Sequence, residues 1–241
     1  MDEFTYGPLT LDEMVKILSL LENPEEAINI RKALRFYELP ERYKNHENYK
    51  WWNSKDFAQL LIHYSFPQNK VEFDSLLKLV DGKASLLEIG SSFGGSLKRM
   101  AAVMQKGARI VSVDLPLDDT PKFLNPLDSL KDTCRKIGLK GGNVELIVGD
   151  SHSKAVVERV REYGPFDFVF IDGDHSYAGM KADWENYGPM GKIVGFHDIG
   201  GALPGCRRCW LEIKDSSGYR TEEFIHGIPA PEYGIGIVHR E

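Results

Sequence analysis

Acids and imidazoles crowd into two short stretches of this chain, Ile171-Asp172-Gly173-Asp174-His175-Ser176-Tyr177 and Phe196-His197-Asp198. Such residues can do two kinds of work. A pair of carboxylates can converge on a divalent cation, because Mg²⁺ needs only one or two carboxylates, with water and substrate filling its other positions. An imidazole, whose unperturbed pKa lies near neutrality, can accept a proton. The two together suit activation of a hydroxyl: a cation at the oxygen lowers its pKa, and a nearby His takes the proton. Asp172 and Asp198 are the candidate acids. His175, three residues after Asp172, is the candidate proton acceptor, unless it only caps the helix that follows. Asp174 is either an outer partner of such a site or a solvated turn residue.

A second group lies upstream. Leu87-Glu88-Ile89-Gly90-Ser91-Ser92-Phe93-Gly94-Gly95-Ser96 reads as a strand running through a glycine turn into a helix. Gly90 and Gly94 let the backbone turn sharply and let a ligand approach the main chain. Ser92 stands where a dinucleotide fingerprint would have its middle glycine. Glu88 would repel a pyrophosphate and attract an ammonium or sulfonium, which favours S-adenosylmethionine over NAD. Ser96, opening the helix, can join backbone donors around a ligand carboxylate. Asp114, about twenty residues on at the tip of the next strand, is placed for ribose hydroxyls. Asp150, Ser151 and His152 end the third strand, where polar groups can reach an adenine edge. Taken singly, the glycines could serve only helix–strand packing, and Asp114 and Asp150 could be caps or turn residues. Four successive strand ends carrying suitable groups favour a ligand site.

The elements that would position these groups follow from the apolar pattern. Strands are expected over 85–89, 109–115, 144–148, 166–171 and 192–196, alternating with helices over 96–105, 127–137, 153–162 and 177–187. That alternation predicts an α/β fold: a Rossmann-like, doubly wound, mostly parallel sheet covered on both faces. Segments 219–226 and 234–240, joined by a Pro-rich turn, are expected to form an antiparallel C-terminal hairpin at the sheet edge. Residues 1–80 read as an N-terminal helical extension, with helices starting near Thr10 and Asn23 and others over 56–63 and 71–80. Residues 81–241 would form the cofactor-binding domain. Tyr49, Trp51 and Trp52 suit a lid over an acceptor, but docking of the extension onto the core or a partner copy is favoured, which leaves room for a homo-oligomer. Asp183, Trp184 and Tyr187 are expected to divide between a face packed on the sheet and a face in solvent.

Composition sets outer bounds. With 241 residues, 42% hydrophobic and 27% charged, the chain has ordinary globular character. A net charge of −6 argues against a general nucleic-acid binder. No apolar run approaches a bilayer crossing, and Met1-Asp2-Glu3-Phe4 lacks a signal-peptide pattern, so a soluble, cytoplasmic protein is expected. Three cysteines form no disulfide framework. Cys206 and Cys209 lack a second pair to complete a zinc site and are expected to be plain thiols on a loop or short helix.

From about residue 71 onward the sequence resembles the class I S-adenosylmethionine-dependent methyltransferases. It looks closest to the branch of catechol-type and macrolide-sugar O-methyltransferases and cephalosporin hydroxylase-like proteins. The resemblance is carried by the glycine turn quoted above, by Phe170–Tyr177, by Gly195-Phe196-His197-Asp198-Ile199 and by the closing Glu222-Glu223-Phe224 with Gly234-Ile235-Gly236-Ile237-Val238. It implies cofactor contacts from Glu88, Gly90, Ser96, Asp114, Ser151 and His152. It implies that Asp172 touches the cofactor's amino group or a metal, that His175 is the general base, and that His197 and Asp198 are a second pair of metal ligands. Imidazole suits Zn, Fe, Ni or Cu better than Mg, so either the metal is not Mg or His197 is a base or substrate contact in a site without one. The implied activity is methylation of a small-molecule hydroxyl, on a sugar or natural product. A hydroxylase-like enzyme and a cofactor-binding protein without turnover are the competing readings.

Overall fold

The computed structural model describes residues 70–115, 126–201, 203–225 and 234–240. The expected helices near Thr10, Asn23 and 56–63, and the cluster of Tyr49, Trp51 and Trp52, lie outside them. The described elements are α1 (Lys70–Val80), β1 (Ser85–Ile89), α2 (Gly95–Val103), β2 (Arg109–Asp114), α3 (Pro126–Leu139), β3 (Asn143–Val148), α4 (Lys154–Arg161), β4 (Phe166–Ile171), α5 (Tyr177–Tyr187), β5 (Gly191–His197), α6 (Pro204–Ser216), β6 (Arg220–Phe224) and β7 (Ile235–His239).

Strands β1 to β5 are parallel, and the sheet runs β3-β2-β1-β4-β5-β7-β6. The two last strands are antiparallel to their neighbours, with β7 slotted between β5 and β6. This is the doubly wound sheet with a C-terminal hairpin that the sequence predicts. Side chains alternate between two cores. Leu86, Ile110, Phe168, Phe170 and Ile237 face α1, α2 and α3, which contribute Phe73, Leu97 and Leu130. Leu87, Val111, Val169, Val194 and Phe196 face α4, α5 and α6, which contribute Val160, Met180 and Trp210. The sequence reading placed α1 in the front section; its Phe73, Leu76 and Val80 are wholly buried in the first of these cores. Both faces being covered, the inner strands need apolar residues at every position, which is why β4 is the near-continuous run Phe-Asp-Phe-Val-Phe-Ile.

Helix α6 is longer than the sequence reading allowed. It runs thirteen residues, begins with Pro204 in its first turn, and buries Cys206, Cys209, Trp210 and Ile213 at helical spacing. Both thiols are free and buried, and burial pushes them up to about 12 and about 11, so they are packing groups rather than reactive ones.

The order places β1 beside β4, where the winding reverses direction. That crevice, beyond the carboxyl ends of the strands, is where open α/β sheets bind ligands. Most of the fold's buried charge gathers there: Glu88, Asp183 and Asp198 are all under 4% exposed. Among the described residues no helix is long and apolar enough to cross a membrane.

Candidate active site

The glycine turn and the acid–imidazole cluster share a wall. Asp172 donates its N–H to the Ile89 carbonyl at 2.9 Å, continuing the β1–β4 pairing past the strands. Gly90 then lies so close to Asp172 that a side chain at this position would meet the Asp172 carbonyl oxygen at 2.1 Å. Gly90 and Gly94 have φ of 83° and 79°, and Ser92 between them has φ of 50°. A left-handed non-glycine residue is uncommon, and such strain gathers at binding sites.

Beneath the turn Glu88 is fully buried. Ser91 donates to its Oε2 at 2.6 Å, and Ser112 donates to Ser91 Oγ at 2.7 Å. Its other oxygen has no aligned donor. Burial pushes Glu88 up to about 8, against the pull of the Ser91 and Ser96 hydroxyls. Glu88 is therefore neutral at pH 7 until a cation approaches. Between about 4.5 and 8 the native state holds a proton that the unfolded chain has lost, so stability falls as pH rises through that window. Ligand-free Glu88→Gln should flatten this fall, which for such a shift amounts to several kcal/mol at most, or up to ~10 °C in Tm. Parallel Tm curves for the two proteins from pH 5 to 9 would count against this.

At the end of β2, Asp114 Oδ2 accepts the Ser92 N–H, tying the second strand to the turn. After β3, Asp150 Oδ1 accepts the His152 N–H at 2.8 Å, so Asp150 shapes the loop and is itself exposed. Ser151 Oγ donates to Asp183 Oδ1 at 2.8 Å, and His152 Nε2 lies 3.2 Å from the same oxygen. Asp183 is thus no surface residue. It shares the inward face of α5 with Met180 and Tyr187, at a spacing of three and four residues.

The cluster sits at the ends of β4 and β5. His175 Nε2 lies 3.4 Å from Asp172 Oδ1 and 3.5 Å from Asp198 Oδ2. The helix cap is not His175 but Ser176, whose Oγ accepts the Gly179 N–H, while Asp174 accepts the Ser176 N–H. His197 Nδ1 lies 3.2 Å from Asp172 Oδ1 and 3.0 Å from Asp198 Oδ1, and its Nε2 is buried without a partner. Asp198 adopts a left-handed φ of 62°. Burial alone would raise Asp172, but the two imidazoles outweigh it and hold it below the usual carboxylate range. His175 is raised by its bond to Asp172, and His197 is raised despite its burial by Asp172 and Asp198. The two imidazoles balance the two carboxylates.

The donor set fits a divalent cation. Asp172, His175 and Asp198 each offer a ligand atom within 4.8 Å of the others, and Asp198 Oδ1 is buried with no aligned donor. This grouping includes His175, whereas the sequence reading paired the acids with His197. The turn fits an amino-acid-bearing nucleoside, with close backbone at Gly90 and an unpartnered carboxyl oxygen on Glu88 below it.

Fold and site define a class. The doubly wound sheet with an antiparallel C-terminal pair is the class I methyltransferase fold, and residues 87–199 match the profile of a methyltransferase domain. Over residues 87–199, a little under half of the chain, the sequence is accordingly similar to that methyltransferase family. It resembles the O-methyltransferase of Bacillus cereus in complex with SAH, at 18% identity, a TM-score of 0.56 and coverage of 88% of this chain and 97% of that one. The O-methyltransferase TomG of Streptomyces achromogenes, in complex with SAM, is similar at 16% identity, TM-score 0.55, covering 91% and 100%. By sequence, a ribosomal RNA large subunit methyltransferase E of Treponema denticola is 24% identical over 135 residues, 54% of this chain and 57% of the relative, so the match spans little more than half that relative's length.

Proposed function

We propose that the chain methylates a hydroxyl of a small molecule, with His175 as proton acceptor and a divalent cation at the Asp172–Asp198 end of the cleft. One observation carries the reading: the turn that would hold the cofactor and the acid–imidazole cluster are in backbone contact at Gly90 and Asp172. S-adenosylmethionine supplies a methyl on a sulfonium. A cation held by Asp172 and Asp198 would lower the pKa of an acceptor hydroxyl. The chain's residues do the rest. Glu88 and Ser96 bind the amino-acid end, Asp114 binds the ribose, and Gly90 and Gly94 let the backbone approach. His175, neutral once a cation replaces it as counter-charge to Asp172 and Asp198, takes the hydroxyl proton as the oxygen–carbon bond forms and the carbon–sulfur bond breaks.

His175 Nε2 can serve as ligand or as base, but not as both at once. Its side chain is 46% exposed against 15% and 5% for Asp172 and Asp198, so it is the member an acceptor reaches, which favours the base. The small-molecule acceptor is favoured over RNA by the net charge of −6.

Methyl transfer to a panel of hydroxylated sugars and phenols is the direct test, with ribosomal RNA as a further arm. EDTA should abolish turnover and one divalent metal should restore it best; full turnover in EDTA would remove the metal and leave His175 and His197 to act alone. Asp114→Ala should weaken S-adenosylhomocysteine binding about tenfold or more, the scale of a lost charge-assisted hydrogen bond. Unchanged calorimetric affinity in the folded variant would move the cofactor elsewhere.

A further inference from the structure

We infer that Asp183 is a positioning residue that makes the end of β3 a hydrogen-bond acceptor, so that the cofactor site selects a 6-amino purine over a 6-oxo purine. This rests on the proposed placement of the cofactor over the strand ends.

Asp183 is fully buried and is not one of the four residues of the acid–imidazole cluster. One face of α5 clamps the loop after β3 at two points. Tyr187 donates its hydroxyl to the Ser151 carbonyl at 2.6 Å, and Asp183, one turn earlier, takes the Ser151 hydroxyl hydrogen at 2.8 Å. A serine hydroxyl has one hydrogen. Once that hydrogen is given to Asp183, Ser151 Oγ can offer a ligand only lone pairs. His152 is turned the same way, with Nε2 toward Asp183, and the nearby Asp150 carboxylate can only accept. The strand end therefore presents acceptors. The exocyclic amine of adenine can donate to them; the C6 oxygen of hypoxanthine would face lone pairs.

Helix packing does not explain such a residue. Asp183 Oδ2 is buried with no hydrogen-bond partner, pressed 3.3 Å from where a side chain on Gly173 would begin. An unpaired buried carboxylate oxygen costs stability that a leucine or alanine at this position would not. Burial pushes the carboxyl up to about 6, while the Ser151 bond favours the ionised form that accepts.

The test is calorimetric binding of S-adenosylhomocysteine and of its inosine counterpart, with no turnover required. The wild-type protein should prefer the adenosine ligand by about tenfold or more, since a site built to pair with a donor leaves groups unpaired against its isostere. Asp183→Ala frees the serine hydrogen and should shrink the preference to roughly threefold or less; Ser151→Ala should do the same, and the double variant no more than either. If Asp183→Ala does not fold, Ser151→Ala carries the test. A clamp that only stiffens the loop would weaken both ligands alike, so an unchanged ratio in either variant overturns the inference. Equal wild-type affinities overturn it while leaving the cofactor site in place, and a wild-type protein that binds neither ligand overturns both.

Discussion

Replacing His175 by alanine should lower kcat by about a hundredfold or more while leaving cofactor affinity nearly unchanged. The imidazole stands between Asp172 and Asp198, the only strongly exposed member of the four-residue cluster, and its ring is not needed for the fold. The turn around it is held by other groups: Asp174 accepts from Ser176, Ser176 caps α5, and Cys206 reaches only the His175 backbone carbonyl, at 3.2 Å. The variant should therefore still fold, with a Tm loss of a few degrees at most, because His197 remains as counter-charge to both acids. A structural histidine would behave in the opposite way, with a lower Tm and normal turnover. Near-normal kcat in a folded His175→Ala protein would take this residue out of the reaction.

Gly90→Ala should be the most damaging single substitution in the cofactor turn. The new Cβ would lie 2.1 Å from the Asp172 carbonyl oxygen, 2.5 Å from its carbon and 2.6 Å from Gly173 Cα. All three are main-chain atoms, so relief requires parting β1 from β4 at the central pairing of the sheet. The loss should exceed about 4 kcal/mol, roughly 8–16 °C in Tm for a domain of this size, or prevent soluble expression. Gly107 supplies the control. Its φ of 80° matches, yet nothing lies within 4 Å of its would-be Cβ, so Gly107→Ala carries only the left-handed penalty of about 1–2 kcal/mol. Equal Tm losses for the two would show that the close approach is not what constrains Gly90.

The strands and most helices were legible because their signals are local. β4 is an apolar run too short for a helix, and the stretches 153–162 and 177–187 read as α4 and α5, although Ser176 and not His175 caps the second. Helix α6, expected as a loop or short helix, runs to Ser216, and its buried residues at 206, 209, 210 and 213 follow an ordinary amphipathic period. At the site, residue types named the chemistry but not the contacts. Spacing could not show that His175 and His197 approach the same two carboxylates from different strands, because that depends on the β4–β5 register, Ile171 opposite Phe196. Nor could it separate Asp150, which bonds its own loop, from Ser151, which is held by a helix more than thirty residues away. An acid on an amphipathic helix is ordinarily solvated, and only the packing of α5 turns Asp183 inward.

The slotting of β7 between β5 and β6 bears on how the protein is made. His197 pairs opposite Ile235, so one edge of β5 lacks its neighbour until the segment through residue 239 has left the ribosome. Through that interval a nascent chain carries an open, apolar strand edge, the kind of surface that recruits chaperones or sticks to other nascent chains. The end of the cleft that holds His197 and Asp198 is thus completed only when β7 is in place, and truncation before Ile235 should give aggregating chains.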